Sequence, residues 1–555
     1  MNRFILAIIS LLISFNAILA QPSSVKKMAN SVFKLTAYDA EGNVSASTYG
    51  VFTSNDGIAV GVWSTLANAS KAVVTDFNGK QYTVLSIIGA DELYDVCKFR
   101  VDVAKSYPAV LAGTPSQGGA KVWLVNTEDK KVSAYEYTVE KTEPFMEKYG
   151  YYIFAYKDRN EVSGSPFINS NGQVVGLALP SETSLAPHAV DASYANSLKF
   201  MPLSVNDNKF SKTGIRLELP NDKKEALLMV MLAGEKHDSL KYSGYISDYI
   251  KKFPHEVDGY STSALNKINR NDFAGADADM NTAIKLADNK AEAHYEYAHV
   301  IYNKLLYSSD SLFSSWTFDK ALAEAEKAYE LDAQPSYKHR IAQITYSKGD
   351  YKKAYDMFIG LSETPIRNSE IFFEAAQCKN QLEADKSEII ALLDSAITLC
   401  STPYTSISAP YFLARGQVYD SMGNYRKALA DYNVYDTIFY GRADADFYYT
   451  RYKCELELKQ YQQALNDIAH AAMVSQNKTY YLSEMASLQL RVNRFEDAVR
   501  TADICLQLMP ENTDVLLIKG LALILSDKKK EGLDYLQKAD ELGDDRAKSY
   551  IKKYK

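Results

Sequence analysis

The sequence predicts a two-part chain: an all-β half of barrel or sandwich type, followed by an all-α superhelical array. Three observations carry that prediction. From about Ser31 to Leu179, short apolar runs alternate with turn signals. Beyond about Asn221, apolar residues recur at i, i+3, i+4 and i+7 instead. Within that helical half, one aromatic-led motif returns with a period near 34 residues. The 555 residues exceed one ordinary domain, and 46% apolar with 24% charged residues is ordinary globular composition.

Residues 1–20 read as an export signal. Arg3 supplies positive charge, Phe4 to Phe15 form an apolar core, and Ala17 and Ala20 precede a cut before Gln21. The core is too short for a comfortable membrane span, and no later stretch reaches the ~18 apolar residues a span needs. The mature chain is therefore expected to be exported, to the periplasm or beyond, without a transmembrane segment. No cysteine near the cut offers a lipid anchor. A net charge of -7 argues against nucleic acid, which is bound by clustered lysine and arginine. The five cysteines (97, 378, 400, 454 and 505) match neither a disulfide framework nor a CxxC metal site. They read as buried small hydrophobes.

In the β half, SVFKLTAY, GVFTS, GIAVGVW, KAVVTDF, VCKFRV, KVWLV and QVVGLAL are strand candidates. EGN, NDG, NGK and NGQ are the turns between them. Residues 201–256 hold turn-prone stretches and then an amphipathic segment, a linker and helical adaptor. From 257 to 555 the repeat takes over. Phe273, Phe318, Tyr351, Lys386, Tyr425, Tyr461, Phe495 and Lys529 occupy one register position. Alanines 276, 321, 354, 428, 464 and 498 follow three residues behind. This pattern resembles the tetratricopeptide repeat, in about eight units, with the aromatic missing at Lys386 and Lys529. Each aromatic is expected to open the second helix of a pair, and each alanine to sit where two helices approach closely. No single pair buries its apolar face, so neighbours must stack into a solenoid.

Residues 21–200 resemble the HtrA-type branch of trypsin-like serine proteases, in the family's chain order. GVFTSNDGIAVGVWSTLANA (50–69) matches the stretch ending in the catalytic histidine. GADELYDVCKFRV (89–101) matches the strand bearing the aspartate, and PSQGGAKVWLVN (115–126) an intervening turn and strand. SGSPFINSNGQVVGLAL (163–179) matches the nucleophile turn with its hairpin. The resemblance implies a double β-barrel with triad positions Ser64, Asp95 and Ser163. The position of the base carries Ser64, and the mature chain has no histidine before His188. A hydroxyl cannot do the work of an imidazole with a pKa near 6.5. Glu161, at the glycine position of the oxyanion turn, further opposes negative charge on a substrate oxygen.

The expected function is a non-catalytic, protein-binding adaptor whose triad positions are vestigial. The alternative is an active serine endopeptidase using Ser163 with an unconventional base, Lys98 or Lys71. A third reading keeps the barrel as a peptide-docking module. Carried onto the array, the family's binding pattern points to His339, Gln343, Tyr346, Glu374, Gln417, Asp420, Tyr449 and Lys453. These lie on first helices facing a groove for proteins or peptides. There is no phosphate loop, H-E-x-x-H or calcium loop, and His294 and His299 are five apart. No cofactor and no metal is expected. The partner's identity and the oligomeric state stay open.

Overall fold

Alternation along Val32–Tyr38 (β1) turns Phe33, Leu35 and Ala37 into an apolar core and leaves Lys34 exposed. The same logic builds Val44–Phe52 (β2), Ile58–Val62 (β3), Lys71–Thr75 (β4), Gln81–Asp91 (β5) and Val96–Val101 (β6). These close antiparallel in the order β1-β2-β3-β6-β5-β4. Lys121–Glu128 (β7), Lys131–Phe145 (β8), Tyr149–Phe154 (β9), Pro166–Asn169 (β10), Val174–Leu179 (β11) and His188–Asp191 (β12) follow. They close in the order β10-β11-β12-β9-β8-β7. The chain thus has a trypsin-like double β-barrel. The computed structural model describes residues 23–555 apart from 129, 157–162, 180–185, 237 and 308–312. The expected signal, residues 1–20, lies outside the described residues.

Strands β5, β8, β9 and β12 were not among the sequence candidates. The reason is visible in β8, which buries Tyr137 and Val139 on one face and otherwise carries partly or fully exposed side chains. Its apolar signal is too thin to read. A further apolar cluster, with Tyr49, Val51, Val60, Val125, Ile168 and Leu177, draws on both barrels, so they are packed together rather than tethered.

The segment after residue 200 is not a loose connector. Ile215, Leu217 and Leu219, with Met229 and Tyr245 from the helices Lys223–Gly234 and Ser239–Lys252, join the core of the first barrel. Leu217 bridges Ile87 of β5, and Glu218 takes two bonds from the Arg100 guanidinium at 2.8 and 2.9 Å. Burying these side chains beside β5 and β6 makes the adaptor part of the barrel's stability.

The remaining chain is helical, and the chain as a whole divides into two compact units, Met1–Glu296 and Tyr297–Lys555. Each register residue from Phe273 to Lys529 is the first residue of a helix. An aspartate before several of these helices explains the start: Asp272 and Asp350 accept backbone N–H bonds from Gly275 and Lys353. The six register alanines are fully buried. In the second unit the helices run in pairs, each packed on its sequence neighbours, a helical solenoid. Cys97, Cys378, Cys454 and Cys505 are buried and Cys400 is half-buried, all as free thiols. Among the described residues no helix is long and apolar enough to cross a membrane.

Candidate functional site

Strand β3 ends in a short helix, Trp63–Ala67, and Ser64 is its exposed second residue. Asp95 lies just before β6 in left-handed backbone, φ 49°. Three bonds join them. The Trp63 N–H donates to the Asp95 carbonyl at 3.2 Å. The Ser64 N–H donates to Asp95 Oδ1 at 2.6 Å, and the Ser64 hydroxyl to Oδ2 at 2.8 Å. Burial raises the Asp95 carboxyl above its ordinary value, and the two Ser64 donors oppose that rise. Ser64 is thus paired with Asp95, and its hydroxyl proton points at a carboxylate.

Ser163 belongs to the second barrel, at the turn entering β10. Its carbonyl accepts the Tyr49 N–H at 2.9 Å, and the Gly164 N–H donates to the Ala178 carbonyl at 2.8 Å. Gly164 has φ 80°, and a Cβ there would come within 2.0 Å of the Tyr49 carbonyl oxygen. Only glycine fits. The Ser163 hydroxyl is buried and has no hydrogen-bond partner among the described residues.

Neither lysine weighed as a base is bonded to it. Lys98 Nζ donates to the Asn196 carbonyl at 2.6 Å, and burial holds its ammonium below the usual lysine range. Lys71 is exposed, with Nζ 5.1 Å from the Tyr38 ring centre. His188, on β12, places Nδ1 3.0 Å from the Tyr151 hydroxyl, and burial lowers its pKa. Glu161 and Val162 lie outside the described residues, so the oxyanion turn is known only from Ser163 onward.

The eight array residues sit on first helices of successive pairs, but three of them satisfy one another. His339 Nε2 lies 2.5 Å from Glu374 Oε2, and the Gln343 amide donates to Glu374 Oε1 at 2.7 Å. That set is a link between helices Pro335–Ser347 and Ser369–Gln381. The Tyr449 hydroxyl is 2.6 Å from that of Tyr480, and Lys453 Nζ lies 5.1 Å from the Tyr449 ring centre. Burial, and after it Asp420, push the Cys454 thiol up to about 12. His237 lies outside the described residues. Among those described, no group of three or more His, Cys, Asp or Glu is placed to hold a metal ion.

Gln417 and Tyr346 instead line a cavity of 420 Å³. Its floor is apolar, with Phe373, Leu393 and Leu413; its rim carries the carboxamides Gln377 and Asn380. Sequence reasoning missed these residues. The available signal was Lys386, the place where the repeat loses its aromatic, which also lines the cavity. No family model matches the chain, and no curated protein matches it.

Proposed function

We propose that this protein is an exported, non-catalytic adaptor, a trypsin-like double barrel that has lost its base, joined to a tetratricopeptide-type array that binds proteins. One observation carries the reading: the residue in the base's place is Ser64, and its hydroxyl donates to Asp95. A neutral hydroxyl, unlike an imidazole with a pKa near 6.5, is too weak a base to take the Ser163 proton. Loss of a positioned base costs roughly 100- to 10,000-fold, and up to about a millionfold in a protease that loses its histidine. Export rests on Arg3, the apolar run Phe4 to Phe15 and the small residues before Gln21. Binding rests on the first helices of the array, whose exposed amides and tyrosines suit an extended peptide or a helix of a partner.

The test is fluorophosphonate labelling of protein recovered from the periplasmic or extracellular fraction. No labelling at Ser163 is expected. Labelling of wild type that disappears in Ser163→Ala would make the chain an active endopeptidase.

A further inference from the structure

The cavity lies where the repeat departs from its own pattern. In the preceding repeat Tyr346 and Tyr351, five residues apart, meet edge to face at 5.2 Å and fill the space between the two helices. One repeat later the same two positions are Gln381 and Lys386. Other repeats keep at least the second ring, with Asp420 and Tyr425, Leu456 and Tyr461, or Leu490 and Phe495. At the remaining departure Lys529 is accompanied by Ile524, and its ammonium donates to the Lys555 carbonyl at 3.3 Å. Only at 381 and 386 are both members of the pair polar. Gln381 is exposed and supplies no ring to pack against Tyr346. The 420 Å³ beside it, within the range of ligand sites, is lined by Phe373, Leu393 and Leu413.

The charge is equally one-sided. No carboxylate lines the cavity, and Lys386 is its one cationic lining residue, in a chain of net charge -7. Lys386 makes no ion pair among the described residues. It is also the first residue of its helix, the end at which a cation is disfavoured, which Asp385 as N-cap offsets in part. A carboxylate arriving from outside would satisfy it. Gln377, Asn380 and Gln417 are exposed around the opening and offer donors and acceptors of the kind a peptide backbone uses.

We propose that this cavity receives an aromatic side chain from an extended peptide of a partner protein, with an adjacent acidic residue of that peptide on Lys386. The ring from outside takes the place of the one the repeat lacks. The inference rests on reading the array as a peptide-binding surface, and it names one anchor point within it.

The test is fluorescence anisotropy on the full chain with labelled heptapeptides carrying a central Asp-Phe-Asp, Asp-Ala-Asp or Lys-Phe-Lys. Asp-Phe-Asp is expected to bind roughly ten- to hundredfold more tightly than Asp-Ala-Asp, the worth of burying a phenyl side chain. The double variant Gln381→Tyr, Lys386→Tyr rebuilds the aromatic pair. It should melt no lower than wild type and lose at least ~tenfold in affinity. Lys386→Glu, a single surface change, should reverse the preference towards Lys-Phe-Lys. Unchanged binding in both variants, or equal binding of Asp-Ala-Asp, overturns the cavity. If only Tyr449→Ala weakens the peptide, the anchor lies elsewhere in the array, and the adaptor reading survives without this inference. No saturable binding of any peptide also overturns the cavity and leaves the labelling result at Ser163 standing.

Discussion

Ser163 and Gly164 form a turn that the first barrel holds in place. The left-handed glycine, the Tyr49 carbonyl 2.0 Å from where a Cβ would be, and the Tyr49 N–H on Ser163 together weld the nucleophile turn to the first barrel. Such constraints stabilise the fold whether or not a substrate is cut. Gly164→Ala should therefore destabilise the protein by at least ~2 kcal/mol, since it combines positive φ with a backbone clash. Denaturant unfolding of the variant measures this; an unchanged midpoint would mean that the turn is free to move. The absence of any histidine before His188 was legible in the sequence. The partners of the candidate lysines were not. Lys98 meets the Asn196 carbonyl only because β6 and the helix Ala192–Ser197 come together in three dimensions, and no spacing encodes that.

At the scale of the helix, the repeat was readable almost residue by residue, because a helix start and a buried alanine are local features. All eight register residues open helices, including Lys386 and Lys529, where the aromatic is absent. Side-chain partnerships across helices were hidden. His339, Gln343 and Glu374 looked like a row facing a ligand and instead bond to one another. The same applies to two guanidinium clamps. Arg415 holds Asp431 at 2.9 and 2.7 Å, and Arg451 holds Asp467 at 2.7 and 2.8 Å, each from a first helix to the second helix of its pair. Beside the second clamp, Glu455 is buried. Burial and then the Asp467 carboxylate push its pKa up to about 8, against the opposing pull of Arg451. The folded state thus holds a proton that the unfolded chain gives up near its ordinary value of 4.5. The stabilisation is complete below about pH 4.5 and is lost as pH rises to about 8. Between pH 5 and 8 wild type should lose on the order of 1–3 kcal/mol relative to Glu455→Gln. Parallel pH profiles of the two proteins would refute the assignment.

Across the whole molecule, the sequence separated a β half from a helical half. It could not show that the segment after residue 200 completes the first barrel, because the alternation of Ile215, Leu217 and Leu219 spans only five residues inside turn-prone sequence. A fragment of residues 21–200 should therefore aggregate, or melt at least ~10 °C below one of residues 21–253, which retains those side chains with Met229 and Tyr245. Equal melting would mean that the barrel stands alone. The central claim concerns what the completed barrel does with Ser163, and the rate of fluorophosphonate labelling tests it most directly. Wild type and Ser163→Ala should label at one indistinguishable background rate from pH 6 to 9. A wild-type rate that clearly exceeds that of Ser163→Ala anywhere in that range would contradict the account.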